Sequence, residues 1–460
     1  VKFISPVCGL RELVLFHPRN PNAPPCLRGW VPWFGAAFQF GAAPLEFIEQ
    51  ARIQYGQIFT VFALGNRYTF VTEEEGIQVF CTSKDADFEQ AVQRSVQNAG
   101  KTFNFHRLYS MMKGKLSTSN LHLLSGTLCK ELHEHMEYLG PEGNEELCDL
   151  VRHVMYPAVV NTLFGKGICP TSKNEIKEFE KHFQKYDEDF EYGSQMPECF
   201  MRKWSKSKKW LLKVFEKVVS DAERSRPSDS SSRVNLSDFE LTSTFYSLIL
   251  LRLSVLVLLQ VAFWTLAFVI SQPSIYKIIM EDLVSVYGKA GKEKIDVSED
   301  DLKKLPFIKW CILETIRLRA PGTITKKVIN PIKIQNFIIP VGDMLMMSPY
   351  WLHRNPKYFP EPEMFKPDRW KEANLEKNAF LDGFMAFGVG THQCPGRSVK
   401  SLWQGFSYVL LCRNVNHISS FCAVTIPTSL PHFLLGSKKH LFRKEPIEIL
   451  LCPLSPCCRM

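Results

Sequence analysis

The sequence predicts a mainly α-helical protein with a small β region, and three observations carry that expectation. A β-hairpin is legible early in the chain, helical spacing dominates the two hundred residues after it, and apolar residues are abundant enough for one large core. Hydrophobic residues make up 45% of the 460 positions, aromatics 12% and charged residues 22%, with 34 Phe, which excludes overall disorder. By length alone about three domains of typical size are possible, although large single-domain enzymes reach this size too.

Fifty-six Lys plus Arg against 47 Asp plus Glu leave a net charge of +9, which suits an anionic membrane face or an acidic protein partner. Nucleic acid is the weaker expectation, because no stretch reads as the platform of aromatics among basic residues that single-stranded modules use and no zinc-finger spacing occurs. The 14 cysteines run from Cys8 to Cys458 without a CxxC pair. That pattern fits neither a disulfide scaffold nor a structural zinc site, so most read as reduced packing residues.

Taken in order, the chain starts at Val1, and Lys2, Arg11 and Glu12 leave no room for a spanning helix at its beginning. Residues 1–44 are expected to be a lead-in segment whose anchor is missing or truncated. Within it Pro24, Pro25, Gly29, Pro32, Gly35 and Gly41 predict a stiff, irregular stretch and neither helix nor strand. Ile58–Phe62, a turn at Gly65-Asn66, and Tyr68–Thr72 then read as a β-hairpin. Leu121, Leu124, Leu128, Leu132 and Met136 have helical spacing.

Between Arg202 and Lys217, five lysines (203, 206, 208, 209 and 213) surround Trp204, Trp210, Leu211, Val214 and Phe215. This is a basic amphipathic helix. A surface helix with a solvated charged face is the simpler reading, and a membrane or partner contact the sharper one. Ser225-Arg226-Pro227-Ser228-Asp229-Ser230-Ser231-Ser232 reads as a mobile loop, too polar to offset its ordering entropy. Leu253 to Ile270 is the most apolar segment and qualifies by length either as a membrane span or as a long core helix.

Chemistry concentrates in Phe387-Gly388-Val389-Gly390-Thr391-His392-Gln393-Cys394-Pro395-Gly396-Arg397, which matches F-x-x-G-x-[HR]-x-C-x-G. A lone cysteine is ordinarily a buried packing residue, but five matching positions at fixed spacing, the cysteine among them, reverse that reading. A haem iron that splits dioxygen needs a strongly donating axial ligand, and a Cys thiolate donates more than a neutral imidazole. Pro395 and Gly396 open an expected helix whose positive end favours the anionic sulfur of Cys394. Gly390 supplies backbone angles that other residues resist, and Gly396 lets the backbone approach the porphyrin. Phe387 is expected to shield the thiolate from water, and His392 to donate a hydrogen bond to a haem propionate.

Upstream, Glu314 and Arg317 lie three apart in Trp310–Arg317, on one helix face. Alone, E-x-x-R is nearly uninformative, since a solvated surface pair is the ordinary outcome. Here Phe365-Lys366-Pro367-Asp368-Arg369-Trp370 comes next and offers Arg369 as a third partner, and the cysteine loop lies beyond it.

With these residues in place, the chain resembles the cytochrome P450 family from about Pro24 to Arg397, on the ordered series E-x-x-R, P-x-R and cysteine loop. Within that family, Gly29–Trp33, Tyr186–Ser194 and Trp351–Pro360 are similar to the oxysterol 7α-hydroxylase branch. The resemblance implies one large helical domain over residues 45–397 with haem b buried between helices, its iron on Cys394. It further implies electrons from an NADPH-dependent flavoprotein reductase, a sterol and O₂ as substrates, and 7α-hydroxylation of an oxysterol such as 24-hydroxycholesterol in bile acid synthesis. The implied location is the endoplasmic reticulum membrane, with the catalytic domain on the cytoplasmic side. By the same analogy Leu253 to Ile270 is the core helix crossing the distal haem face, and Lys326 is a second propionate candidate.

Two departures from the branch carry expectations of their own. Leu253–Gln260 replaces a small residue and an amide by a run of Leu and Val, so either oxygen activation is impaired or that stretch of sequence is in error. Residues 398–460 are expected to be a divergent tail, because Asn414, Asn416, His417, Ser419 and Ser420 interrupt the helical pattern. A haem-thiolate isomerase working without reductase and a catalytically silent haem-binding protein are the alternative functions.

Overall fold

The computed structural model describes residues 22–42, 44–97, 106, 109–110, 113, 118–137, 147–164, 173–190, 198–224, 258–288, 297–319, 322–371, 383–388 and 393–394. Within the lead-in stretch it places β1 (Cys26–Leu27) and α1 (Ala37–Ala42). The reading of that stretch as neither helix nor strand is corrected there. β1 runs parallel to the first hairpin strand, with Cys26 beside Thr60 and the Thr60 amide donating to the Pro25 carbonyl at 2.8 Å. A tertiary pairing overrides the local Pro and Gly preference.

After α2 (Pro44–Tyr55) come β2 (Ile58–Ala63) and β3 (Asn66–Val71), the expected antiparallel hairpin. Its two-residue turn is Leu64-Gly65, one residue earlier than the expected Gly65-Asn66 because Asn66 already pairs with Ala63, and it has positive φ at both positions (51° and 73°), the mirror-image turn whose twist matches paired strands. Gly65 is required on a second ground: a Cβ there would lie 2.7 Å from Trp33 Nε1. β2 is buried on both faces along most of its length, which is why its sequence does not alternate.

The helical body continues as α3 (Glu74–Thr82), β4 (Ala86–Asp87), α4 (Phe88–Gln97), α5 (Thr118–Glu137), α6 (Leu147–Phe164), α7 (Lys173–Glu188) and α8 (Arg202–Arg224). Leu128 and Leu132 of α5 are fully buried, as their spacing predicts. α8 buries Trp204, Leu211 and Phe215 while Lys203, Lys206, Lys209 and Lys213 stay exposed. Lys208 departs from that pattern: it turns inward and donates to Glu198 Oε1 at 2.9 Å.

α9 (Leu258–Ile270) and α10 (Pro273–Tyr287) meet at 107°. Among the described residues no single helix is long and apolar enough to cross a membrane. Val261, Ala262, Phe263, Trp264, Leu266 and Val269 are buried in the main core, so the described part of the apolar segment is a core helix. Residues 253–257, Ser225–Ser232 and the tail 398–460 lie outside the described residues.

α11 (Glu299–Lys303) begins with a reciprocal Ser298–Asp301 cap and leads into α12 (Pro306–Arg319), which is buried on nearly every side. β5 (Ile324–Val328), β6 (Ile332–Ile334), β7 (Phe337–Ile339) and β8 (Met344–Met347) complete the strands, and α13 (Pro349–His353) comes after them. The main sheet has the order β1-β2-β3-β8-β5-β4, and β6 pairs with β7 separately. A polar stitch holds β3 to the β8 edge: Arg67 Nε and Thr69 Oγ1 donate to the two oxygens of buried Asp343 at 2.8 and 2.9 Å. A mainly helical body beside a small sheet is thus the architecture.

Candidate functional site

The site begins on α12. A helix apolar on all sides is a core helix, so a Glu and an Arg three apart on it enter the interior together. Both side chains are completely inaccessible to solvent. Removing two charges from water costs several kcal/mol per ion unless every donor and acceptor is met, and here they are met.

Arg317 grips Glu314 bidentately, Nη2 to Oε1 at 2.8 Å and Nε to Oε2 at 2.9 Å. The same carboxylate accepts from Arg369 Nε and the Lys366 amide, each at 3.0 Å, and from Trp370 Nε1 at 2.9 Å. Arg317 Nη1 also donates to the carbonyls of His353 (2.6 Å) and Pro362 (2.7 Å), and Nη2 to that of Met364 (3.2 Å). Arg369 reaches the Pro360 carbonyl at 2.9 Å. Glu314, Arg317 and Arg369 are therefore brought together, and through them an irregular stretch from His353 to Trp370 is fastened to α12. The solvated surface pair is ruled out at this position by burial.

From α12 a second link runs toward the cysteine loop. His353, fully buried at the end of α13, places Nδ1 3.1 Å from the Arg317 carbonyl and Nε2 3.1 Å from the Met385 amide. Its ring stacks on Phe384 at 5.0 Å, and Phe384 in turn meets Trp370 edge-on at 4.8 Å. Burial depresses the imidazole to a pKa of about 3, outweighing the bond to the Arg317 carbonyl that opposes it, while the charges of Arg317 and Arg354 push the same way as burial, so the ring is neutral.

Gly388, at φ 71°, turns the chain, its amide donating to the Met385 carbonyl at 3.2 Å. The Cys394 amide donates to the Phe387 carbonyl at 2.8 Å, closing the loop at its base. The Cys394 thiol is half-buried and in no disulfide. The carbonyl just before it, on Gln393, accepts from Tyr109 Oη at 2.7 Å. Burial and the nearby Cys394 raise the Tyr109 phenol, which therefore stays protonated as a donor. Phe387 is partly buried against the main core beside Phe384.

Of the remaining sequence candidates, Gly390, His392 and Gly396 lie outside the described residues. Lys326 sits on β5, half-buried, where Nζ donates to the Phe80 carbonyl at 2.8 Å and lies 5.0 Å from the Phe80 ring centre. Burial lowers its pKa. Facing α12, Thr265 of α9 donates to Thr315 Oγ1 at 3.0 Å, and Gln260 on the same helix holds a buried Nε2 without a hydrogen-bond partner.

Sequence reasoning missed His353, Trp370 and Tyr109. Trp370 adjoins Arg369 in the same motif, and His353 stands in Trp351–Pro360, whose sequence carries no chemical pattern of its own. Nothing local marks Tyr109, whose partner is 284 residues away.

The donor set fits a haem held by one protein ligand: a half-buried, unbridged thiol on a loop anchored by the Cys394 amide to the Phe387 carbonyl and by Tyr109 to the Gln393 carbonyl. The comparisons agree. The cytochrome P450 family model matches residues 24–247 and 259–399. The chain is 56% identical to human (Homo sapiens) 24-hydroxycholesterol 7-alpha-hydroxylase over 88% of each chain, and 52% identical to the mouse (Mus musculus) protein of that name over the same shares. Retinoic acid-bound cyanobacterial CYP120A1 has the same fold at a TM-score of 0.68 and 18% identity, covering 85% of this chain and 91% of that one. A family match over most of the chain, carried on a thiol loop braced by a buried Glu-Arg-Arg network, places this chain in the cytochrome P450 family.

Proposed function

We propose that this chain is a haem-thiolate monooxygenase that 7α-hydroxylates an oxysterol, with 24-hydroxycholesterol as the first substrate to test and Cys394 as the residue that would hold the iron. The carrying observation is the 56% identity to the human 24-hydroxycholesterol 7-alpha-hydroxylase across 88% of both chains. When bound, haem with a thiolate ligand supplies dioxygen activation, and the protein supplies binding, orientation and electrostatics. Cys394 would give the donor sulfur, and the bond from its own amide to the Phe387 carbonyl ties the cysteine's main chain to the start of the loop. Phe387 limits water at the thiolate, which keeps donation strong. His392 and Lys326 are assigned to the propionates. Lys326 must then exchange or share its Phe80 carbonyl, at 2.8 Å, for the carboxylate.

Electrons come from an NADPH-dependent flavoprotein reductase, drawn to a chain of net charge +9. The protein works at the endoplasmic reticulum membrane with its catalytic domain on the cytoplasmic side. Exposed Trp30, Trp33 and Phe38 supply amphipathic and apolar surface for the interface, and the exposed lysines of α8 supply attraction to anionic headgroups. Turnover of 24-hydroxycholesterol by purified protein with reductase and NADPH tests the assignment. A 7α-hydroxylated product dependent on NADPH is expected. Product formed without NADPH, or no product from protein with a normal thiolate-type spectrum, would contradict it.

A further inference from the structure

We infer that His353 is a positioning residue for the cysteine loop, holding the Met385 amide on its Nε2 so that the segment ending in Cys394 is presented in one register. The inference rests on the reading of Cys394 as the haem ligand. An amide can only donate, so Nε2 is the acceptor and the ring proton sits on Nδ1, where it donates to the Arg317 carbonyl. The partners thus fix the tautomer. The His353 carbonyl takes a third bond, from Arg317 Nη1 at 2.6 Å.

Both termini of this relay matter. One lies on the helix carrying Glu314 and Arg317, and the other opens a short hydrogen-bonded ladder: Met385 carbonyl to Gly388 amide, then Phe387 carbonyl to Cys394 amide. Only Ala386 stands between Met385 and Phe387, so displacement of the first moves the carbonyl that holds the cysteine. A ring present for packing alone would be served by Phe, given its stack on Phe384 and its edge contact with Phe359 at 6.3 Å. Two directed bonds to main-chain groups on opposite sides require imidazole. The neutral ring also suits its surroundings, since a cation would face Arg317 and Arg354.

Two variants separate the bonds. His353→Asn can imitate Nδ1 and keep the Arg317 carbonyl satisfied, whereas His353→Gln can place an acceptor near Nε2 and keep the Met385 amide satisfied. Each loses one buried bond, so general destabilisation affects both alike. The readout is the reduced, carbon monoxide-bound Soret band of the haem-loaded protein and its rate of conversion from the thiolate-type to the thiol-type position. We expect the Gln variant to stay close to wild type and the Asn variant to convert roughly tenfold faster, the factor that one unsatisfied buried donor is worth. Equal conversion rates in the two variants would overturn the inference. If the Asn variant does not yield soluble protein, amide exchange of the wild-type holoprotein decides. The Met385, Gly388 and Cys394 amides should exchange slowly and together, and a Met385 amide exchanging like an exposed one refutes the relay. Absence of any thiolate-type band in wild type would instead refute the ligand reading on which the inference stands.

Discussion

Removing one end of the Glu314–Arg317 pair leaves the other charge buried and alone, and at zero exposure that is the costly case. Arg317→Ala is expected to lower folding stability by about 3–5 kcal/mol, read by chemical denaturation. Arg317→Lys should recover little, because an ammonium cannot reproduce the two-pronged grip or the carbonyl contacts. His353 contributes a pH dependence of known sign. Its folded pKa, about 3, lies below the ordinary 6.5, so the unfolded chain binds the extra proton first. Its contribution is complete above about pH 6.5 and is lost progressively as pH falls toward 3. Melting temperature should drop more steeply over that window in wild type than in His353→Gln. At this scale the sequence made Glu314, Arg317, Arg369 and Cys394 legible because their spacing repeats a chemical requirement. His353 and Tyr109 were not, because their partners, Met385 and Gln393, are main-chain groups 32 and 284 residues away.

Among the elements, the hairpin and the helix spacing of α5 were readable from local pattern alone, since turn chemistry and a 3.6-residue period are short-range signals. β1 was not: Cys26–Leu27 is a strand only because β2 offers it an edge. The turn between β2 and β3 makes a prediction. Gly65→Ala meets both a left-handed backbone and a 2.7 Å approach to Trp33 Nε1, so a loss of about 1–3 kcal/mol is expected in thermal denaturation. The Thr265–Thr315 bond joins α9 to α12 at 3.0 Å inside the core. Thr265→Val should cost about 1 kcal/mol and loosen the register between these helices. For α9 itself, hydropathy left core and membrane readings open. Burial of Val261 through Trp264 decides for the core, which no apolar count along the chain can do.

Over the whole molecule, composition gave a globular, basic protein, and the family motifs gave the fold, but neither says which faces stay uncovered. Trp30, Trp33, Phe38 and four lysines of α8 are exposed, and the proposed membrane contact is tested on them. Changing Lys203, Lys206, Lys209 and Lys213 to Glu together should abolish the anionic-lipid component of vesicle binding. About 1 kcal/mol per cation is at stake near a charged surface, and co-sedimentation with anionic against neutral vesicles would show it. Residue, element and surface converge on one sulfur, delivered by a loop that the buried network and His353 hold in place. The most direct measurement is the reduced, carbon monoxide-bound spectrum of wild-type protein beside Cys394→Ser. The account predicts a strongly red-shifted Soret band that the serine variant loses, and an identical band in both proteins would contradict it.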